Sequence, residues 1–256
     1  MSTTNGSIKM SNKTPLCFNK KIRAAIISSK SSNKFIEMLN EYGIETIISP
    51  ECNKLPKGYC DHPDMVVCPL KHDLFIIEPD FYDYFSKKLA KYGIKCIKGK
   101  KRINDKYPDD IAYNILKIND YLIFKKNMLD FNIEKYAVSN NLKSIYVKQG
   151  YVKCSVVIID DNTIVTQDKN IYKNCKDFIE NTLLIESGNI KLENFNTGFI
   201  GGTCGMIDKN VICFYGDIEL YKNKNTLKNF LSELNINYIC PKGIDFVDLG
   251  SIIGIL

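Results

Sequence analysis

Residues 64–99 read DMVVCPLKHDLFIIEPDFYDYFSKKLAKYGIKCIKG and contain one full copy of a pattern that recurs along the chain. Two short apolar runs, DMVVCPL and DLFIIEP, are separated by a polar turn, which is typical of a β-hairpin. The segment FYDYFSKKLAKYG spaces its apolar residues three and four apart, which predicts a helix with one buried face. Gly93 is predicted to end this helix in a left-handed cap, with IKCIKG following as a third strand.

The same order of strand, strand, helix and strand returns four more times. Three further copies cover residues 111–148, 151–187 and 198–242, and the fifth is split between residues 245–256 and residues 24–49. Because the first and last pieces of the chain complement each other, they are expected to close a ring, which removes exposed sheet edges. The sequence therefore predicts an α/β fold: a propeller of five ββαβ units with fivefold pseudosymmetry, closed by the N-terminal and C-terminal segments.

The domain organisation follows from where apolar periodicity begins. Ser, Asn, Thr and Lys dominate the first residues, so residues 1–20 are predicted to form a disordered tail. Beyond them we find no linker composition. Residues 21–256 are therefore predicted to form a single five-unit domain.

Composition favours a cytoplasmic protein. No stretch approaches the roughly 20 apolar residues that span a bilayer, and the start MSTTNGSIKMSNK lacks the apolar region of a signal peptide. Ten cysteines at irregular spacing are better explained as reduced thiols than as a disulfide framework. Because no apolar stretch is long enough to span a bilayer, we also expect no membrane association.

The charge balance does not favour a nucleic-acid partner. Lys and Arg number 35 and Asp and Glu 29, a net charge of +6, but Arg23 and Arg102 are the only arginines. Arginine is the residue preferred for bidentate phosphate and guanine contacts. The densest basic run, residues 95–102, is better interpreted as a strand end followed by a solvated loop.

Searches for metal and cofactor motifs are negative. Cys52, Cys60, His62 and Cys68 cluster in the sequence, but they lack the Cys-x2-Cys spacing of a structural zinc site. The run GFIGGTCG lacks the Lys-Ser/Thr ending of a phosphate loop, and no Gly-x-Ser-x-Gly elbow occurs. The sequence predicts no metal and no cofactor.

A ring of five such units resembles the pentein fold of the guanidino-group-modifying enzymes, which include arginine deiminase, agmatine deiminase, dimethylarginine hydrolase and the amidinotransferases. Five sequence segments are also notable: HPDM at His62, GYVKCSVVIID at Gly150, TQD at Thr166, GFIGG at Gly198 and DLGSIIGI at Asp248. With these segments the chain resembles a bacterial family assigned to that fold, over roughly residues 22–256.

The resemblance implies a type of chemistry but does not supply all of its parts. In those enzymes a cysteine near the C-terminus attacks the guanidinium carbon, a histidine in an H-x-D pair shuttles protons, and carboxylates hold the nitrogens. The family's cysteine lies in a segment like G-G-S-I-H-C. The matching residues 249–254 read LGSIIG, so Gly254 stands at the nucleophile's place and leaves open whether the protein is an enzyme.

A second arrangement of these catalytic groups is possible if their order around the ring in those enzymes is rotated by three units. Asp217 then ends a second strand, Asp248 lies in the next unit, His62 and Asp64 form the H-x-D pair, and Cys154 follows two units later. We therefore predict Cys154, His62 and Asp64 as catalytic candidates. Asp217 and Asp248 are predicted to orient a cationic ligand.

Structural explanations compete for the same residues. Cys154 on an apolar strand can be an inert core thiol, and His62 before Pro63 can simply shape the entry to a strand. Asp168 and Asp217 lie where a strand leads into a helical segment, so at least one is expected to cap it, although both remain ligand-binding candidates.

The glycines of the fourth unit also have two explanations. Gly201 and Gly202 can admit a ligand to the backbone or can relieve crowding where the strands converge. On one choice of register Thr203 faces the same channel. All three are retained as ligand-binding candidates.

Two functions stay open. The first is a central channel that binds a small cationic guanidino or amidino ligand, with Cys154-dependent hydrolase or transferase chemistry as the accompanying hypothesis. The second is a binding module without catalysis, comparable to the ribosome anti-association factor that shares the ring fold. The first is favoured because an H-x-D pair and several acids would be costly to bury without a cation or hydrogen bonds.

Overall fold

The computed structural model describes residues 13–256, and within that range the chain forms fifteen strands and six α-helices. The strands are β1 (Ala24–Ser28), β2 (Glu45–Ser49), β3 (Val67–Lys71), β4 (Leu74–Ile77), β5 (Lys95–Lys98), β6 (Leu116–Ile118), β7 (Tyr121–Lys125), β8 (Lys143–Val147), β9 (Val156–Asp160), β10 (Thr163–Thr166), β11 (Asn181–Leu184), β12 (Cys204–Asp208), β13 (Val211–Phe214), β14 (Asn237–Ile239) and β15 (Ile253–Ile255). The helices are α1 (Asn33–Glu41), α2 (Pro63–Val66), α3 (Tyr82–Leu89), α4 (Phe131–Ser139), α5 (Lys169–Cys175) and α6 (Lys224–Glu233). Single 3-10 turns lie at Ala90–Tyr92, Ile200–Thr203 and Ile218–Leu220.

The strands form five separate three-stranded sheets with one common plan. In each sheet the first strand pairs antiparallel with the second, and the second pairs parallel with the third across a helical connection. The fifth sheet has the order β15-β1-β2, so the C-terminal strand pairs with the first strand of the chain. The predicted α/β fold of five ββαβ units, closed by its two ends, is confirmed.

The first and second strands of each sheet are mostly buried, and the third strand, at the opposite edge from the first, is the most exposed. The strands β3, β6, β9, β12 and β15 are almost wholly buried. The third strands β5, β8, β11, β14 and β2 carry most of the exposed positions. The first strands therefore line the middle of the ring, and residues just before them face one another across it.

The helices cover the outer parts of the sheets with one apolar face. The helix α1 buries Phe35 and Leu39, and α3 buries Phe85 and Leu89, in both cases at a spacing of four residues. The predicted left-handed cap after α3 is present, because Gly93 has φ +76°. None of the helices formed by residues 13–256 is both long and apolar enough to cross a membrane.

The first strands begin later than the sequence predicts. The chain forms the short helix α2 where a strand was predicted from Asp64, and residues 152–155 form turns before β9. A 3-10 turn likewise precedes β12. The hydrophobic pattern does not reveal where the turn ends and the strand begins, because both are buried and apolar.

The segment just before the predicted start of the domain packs against the ring. Residues 1–12 lie outside the described part of the chain. The predicted boundary at residue 20 is wrong, because Thr14, Leu16 and Phe18 are buried. The backbone N–H of Thr14 donates to Asp161 Oδ1 at 3.0 Å, which ties this segment to the third unit.

Candidate functional site

Polar side chains converge where the five units meet, on the segments just before the first strands. The H-x-D pair His62 and Asp64 lies at the start of α2, and Cys154 precedes β9. Asn114 precedes β6 and Ser251 precedes β15 in the corresponding positions. These short segments reach the middle of the ring because they continue the innermost strand of each sheet.

The thiol of Cys154 is held between a carboxylate and an amide. Its Sγ lies 3.2 Å from each oxygen of Asp64, and Asn114 Nδ2 donates to it at 3.0 Å. The side-chain oxygen Oδ1 of Asn114 accepts from the backbone N–H groups of Lys153 and Cys154 at 2.8 and 3.3 Å. Asn114 therefore fixes both the turn that carries the thiol and the thiol itself.

The carboxylate of Asp64 connects Cys154 to the fifth unit. Its Oδ2 accepts from the backbone N–H of Ser251 at 2.9 Å and from Ser251 Oγ at 2.6 Å. Lys153 Nζ donates to the same Ser251 hydroxyl at 2.7 Å. Asp64 has no Lys or Arg nitrogen within 4.0 Å among the described residues, so Ser251 separates the two buried charges.

His62 and Asp248 form the second pair of the site. His62 Nδ1 lies 3.8 Å from Asp248 Oδ1, and both side chains are buried. Asp248 also accepts from the backbone N–H groups of Phe199, at 2.8 Å, and Gly250, at 3.0 Å. Neither ring nitrogen of His62 has a hydrogen-bond partner among residues 13–256. A buried imidazole without partners is unusual and calls for a ligand or water.

A cavity of about 140 Å³ opens in front of these groups. Its lining residues are Tyr59, His62, Met65, Tyr151, Cys154, Leu192, Phe195, Thr197, Phe199 and Asp248. Asp64 does not line it and lies behind Cys154. The cavity therefore has one polar end, formed by an imidazole, a thiol and a carboxylate, and walls that are largely aromatic.

Burial and like charge set the protonation of these groups. Burial, together with the Asp64 and Asp248 carboxylates, raises the pKa of Cys154 well above its usual value, so the thiol is favoured over the thiolate. Burial also raises the pKa of Asp248, although the neighbouring His62 opposes this shift. Burial lowers the pKa of Lys153. All three shifts have burial as their largest cause, so a charge of either sign is costly at this place.

The same cluster offers donor atoms to a metal. One atom each from His62, Asp64 and Cys154 lies within 4.8 Å of the others, and this is the one such group of three or more His, Cys, Asp or Glu residues found among residues 13–256. A nitrogen, an oxygen and a sulfur ligand with a fourth position open to a cavity is a set that zinc accepts. Experiments on this site therefore need a chelator as a control.

Two of the predicted ligand-binding acids lie elsewhere. Asp168 caps α5 by accepting from the backbone N–H groups of Asn170 and Ile171. Asp217 caps the 3-10 turn Ile218–Leu220 and accepts from Gly243 N at 2.9 Å. Neither lines the cavity. The prediction that Asp217 shares one end of the channel with Cys154 is therefore corrected, because residues that follow a second strand start helical segments and satisfy their N–H groups.

The glycines of the fourth unit relieve crowding. A Cβ on Gly202 would overlap Asp248 Oδ1, and a Cβ on Gly201 would overlap the backbone of Val156. Thr203 donates its hydroxyl to Ile200 O at 2.7 Å and does not line the cavity. Of the alternatives for these residues, close packing is the one that the contacts favour.

The fifth unit also needs a correction at its nucleophile position. Gly254 lies within β15, and a Cβ there would meet Phe18 and Ile22, not the cavity. The residue of this unit that reaches Asp64 is Ser251, which lies two positions before β15 as Cys154 lies two positions before β9. Sequence reasoning missed Asn114 and Lys153 as well. The signal that could have found Asn114 is its matching position two residues before β6.

The ring of five ββαβ units is the pentein fold, and comparison with solved structures agrees. An amidinotransferase of the saxitoxin pathway from Microseira wollei matches with a TM-score of 0.60 and 10% identity over 92% of each chain. Inosamine-phosphate amidinotransferase from Streptomyces griseus matches with a TM-score of 0.55 and 11% identity over 94% of each chain. Dimethylarginine dimethylaminohydrolase from Pseudomonas aeruginosa matches with a TM-score of 0.54 and 10% identity over 88% of this chain and 93% of that one.

Comparison of the sequence with models of protein families shows the family of this chain. Residues 26–253 match the family described as "Family of unknown function (DUF6873)", and the chain belongs to that family. A comparison with curated protein sequences found no match.

Proposed function

We propose that the central cavity binds a small planar cation of the guanidinium or amidinium type, with Cys154 positioned to react with its central carbon. The observation that carries this proposal is the polar end of the cavity, where His62 is buried beside Cys154 and Asp248 without a hydrogen-bond partner in the described part of the chain. The structural relatives named above are amidinotransferases and a dimethylarginine dimethylaminohydrolase, which act on groups of this chemistry.

The electrostatics of the site support a cationic ligand. Asp64 and Asp248 bring two buried carboxylates to one place, and the buried Lys153 contacts neither of them directly. Burial raises the pKa of Asp248, which means that its charged form lacks adequate compensation. A planar cation would supply that compensation and could donate paired hydrogen bonds to the carboxylate.

The other groups of the site would then act on the ligand. Cys154 passes its thiol proton to His62 while Sγ adds to the central carbon of the cation. The adduct collapses when the bond to the leaving amine breaks, and the amine takes the proton from His62, which leaves the amidino carbon on sulfur. Water or an acceptor amine then adds to that carbon and gives a proton to His62, the C–S bond breaks, and His62 returns the proton to Cys154 Sγ, giving a hydrolase or a transferase. Asp64 and Asn114 position the thiol.

A second candidate is binding without turnover, and one observation favours it. Burial and two carboxylates raise the pKa of Cys154, so that the nucleophilic thiolate is rare in the empty site. A bound cation would lower this pKa, because it offsets the carboxylates. The two candidates therefore differ in how far the ligand activates the thiol.

Calorimetric titration with methylguanidine and with acetamidine, in the presence of EDTA, tests the binding step. Saturable binding is expected, and Asp248→Asn should weaken it at least about tenfold, because it removes a buried charge that pairs with the ligand. Asp168→Asn is the matched control, since the same chemical change falls on an acid that only caps α5. Absence of saturable binding, or equal loss in both variants, would overturn the proposal.

Turnover is tested separately on the same ligands. Ammonia or amine release above the level of Cys154→Ser, or a ligand-derived mass increase on Cys154 after acid quenching, would establish the reaction. Binding without either signal would establish the second candidate.

A further inference from the structure

We infer that the ligand of the central cavity carries an uncharged, apolar substituent, so that its class is alkyl or aryl guanidines and amidines and not amino acids. This inference rests on the proposed function, since it describes the rest of the molecule whose cationic head group meets His62, Cys154 and Asp248. It follows from the outer wall of the cavity, where the polar atoms are already used.

The two tyrosines of the wall present rings and keep their hydroxyl groups occupied. Tyr151 OH donates to Asp110 Oδ2 at 2.6 Å, and Tyr59 OH donates to the same oxygen at 3.1 Å. Asp110 is fully buried and does not line the cavity. Burial raises the pKa of Tyr59 to about 12, so this hydroxyl stays protonated and remains a donor to Asp110. What the two residues offer to a ligand is aromatic surface.

The remaining polar atoms of the wall are also satisfied. Thr197 Oγ1 donates to the carbonyl groups of Gly188 and Gly198 at 2.9 and 3.3 Å. The Met65 sulfur accepts from Asn114 Nδ2 at 3.4 Å. Leu192, Phe195 and Phe199 have no polar side-chain atoms. Outside the His62, Cys154 and Asp248 end, a ligand therefore meets carbon.

No lysine or arginine lines the cavity among the described residues. Two basic side chains beside the wall segment 192–199 are already engaged: Lys30 Nζ pairs with Glu193 at 3.1 Å and with Asp61 at 3.7 Å, and Lys191 Nζ pairs with Asp245 at 2.6 Å. A carboxylate on the ligand would lose its hydration against aromatic rings without gaining a cationic partner, which is unfavourable. It would also approach the acids of the site.

The opening of the cavity carries exposed apolar surface that a substituent would cover. Phe195 is 46% exposed, and its ring centroid lies 5.7 Å from that of Tyr59. Gly58 permits this approach, because a Cβ there would lie 2.9 Å from the Phe195 ring. At about 140 Å³ the cavity is smaller than the roughly 300–1,000 Å³ of drug-sized sites, so the substituent must be short or flat.

Affinities of four guanidines with one head group test the inference. The series is methylguanidine, n-butylguanidine, 4-guanidinobutyrate and 4-aminobutylguanidine, titrated calorimetrically with EDTA present. We expect n-butylguanidine to bind at least about tenfold more tightly than either charged analogue, since the butyl chain alone matches the wall. Equal or tighter binding of the carboxylate or the ammonium analogue would overturn the inference.

Variants at the opening supply the matched comparison. Phe195→Ala should reduce the advantage of n-butylguanidine over methylguanidine, whereas Phe178→Ala, at an exposed phenylalanine that does not line the cavity, should leave this advantage unchanged. Phe195→Lys should raise the relative affinity of 4-guanidinobutyrate. Because Phe195 is exposed, neither change endangers the fold, and an unchanged ligand ranking in both variants would contradict the inference.

The outcomes separate this inference from the proposed function. If methylguanidine binds in an Asp248-dependent way but all four compounds bind alike, the substituent inference fails and the proposed function stands. If none of the four binds, both fail.

Discussion

The thiol of Cys154 is the residue whose local electrostatics are most easily measured. Because the Asp64 carboxylate lies 3.2 Å away and raises the pKa of Cys154, Asp64→Asn should favour the thiolate and accelerate alkylation. We expect iodoacetamide at about pH 8 to react with Cys154 several-fold faster in this variant. The rate is measured for each cysteine-containing peptide by mass spectrometry across the pH range.

Two comparisons make this measurement specific. Cys213, which is fully buried and lies in β13, reports any general loosening of the fold. Asp168→Asn repeats the chemical change outside the cluster and should leave Cys154 unaltered. If Cys154 accelerates only together with Cys213, or equally in both variants, the postulated charge effect is wrong.

The ionised carboxylate of Asp248 should lower the stability of the folded protein, although the same charge is proposed to bind the ligand. Burial raises the pKa of this carboxyl in the folded state, so its ionised form costs stability at neutral pH, and the cost disappears as the pH falls through the folded-state value. Asp248→Asn removes the charge and keeps one acceptor oxygen, so it can still accept from one of the N–H groups of Phe199 and Gly250. The stability of this variant relative to the native protein should therefore be highest near pH 7 and should fall as the pH becomes acidic.

Thermal unfolding of both proteins at several pH values checks this prediction in the absence of ligand. A variant that is less stable by the same amount at every pH would show that the bonds to Phe199 and Gly250 outweigh the charge.

At the scale of single elements, the turns before the first strands explain what sequence could and could not predict of the site. The runs IAYNILKI and YVKCSVVIID predict strands from residues 111 and 151, but β6 and β9 begin at Leu116 and Val156. Every position from 111 to 118 is buried, so a buried turn and a buried strand have the same hydrophobic pattern. Asn114 was consequently hidden inside a predicted strand.

The loss of the helix cap at Asp168 should affect the stability of the protein and not its ligand affinity, which tests the assignment of Asp168 as a cap and not as a ligand-binding residue. Asp168 Oδ1 accepts from two N–H groups at the start of α5, at 2.7 and 2.8 Å. Asp168→Ala should lower the free energy of unfolding by about 1 kcal/mol, the usual value of an N-cap, without changing ligand affinity. Urea unfolding and a methylguanidine titration measure the two quantities. Lost affinity with unchanged stability would restore Asp168 as a ligand-binding residue.

At the scale of the whole molecule, the ring could be predicted because every unit repeats one pattern and the two ends of the chain complement each other. The rotational argument brought His62, Asp64, Cys154 and Asp248 into one cluster, since all four precede a first strand. It misplaced Asp217, which follows a second strand and starts a helical turn. The interlocking bonds between units, such as Asp64 to Ser251, depend on side-chain positions that a repeat pattern does not specify.

Closure of the ring by β15 should be essential for stability. Its register pairs Ala25 with Gly254 and covers β1, all five residues of which are buried. Deleting residues 253–256 would leave the edge of β1 unpaired and remove two fully buried isoleucines, Ile253 and Ile255. At about 2–5 kcal/mol for each isoleucine, the loss approaches the roughly 5–15 kcal/mol total stability of a domain. The truncated protein should lose its cooperative urea transition and self-associate, as size-exclusion chromatography would detect.

The double variant Ile253→Ala with Ile255→Ala is the matched control, because it removes the same apolar side chains beyond Cβ but keeps the strand's backbone. It should retain a weakened cooperative transition and remain monodisperse. If the truncated protein unfolds at the same urea concentration as this control, pairing of the two chain ends contributes little, and side-chain packing alone holds the ring closed.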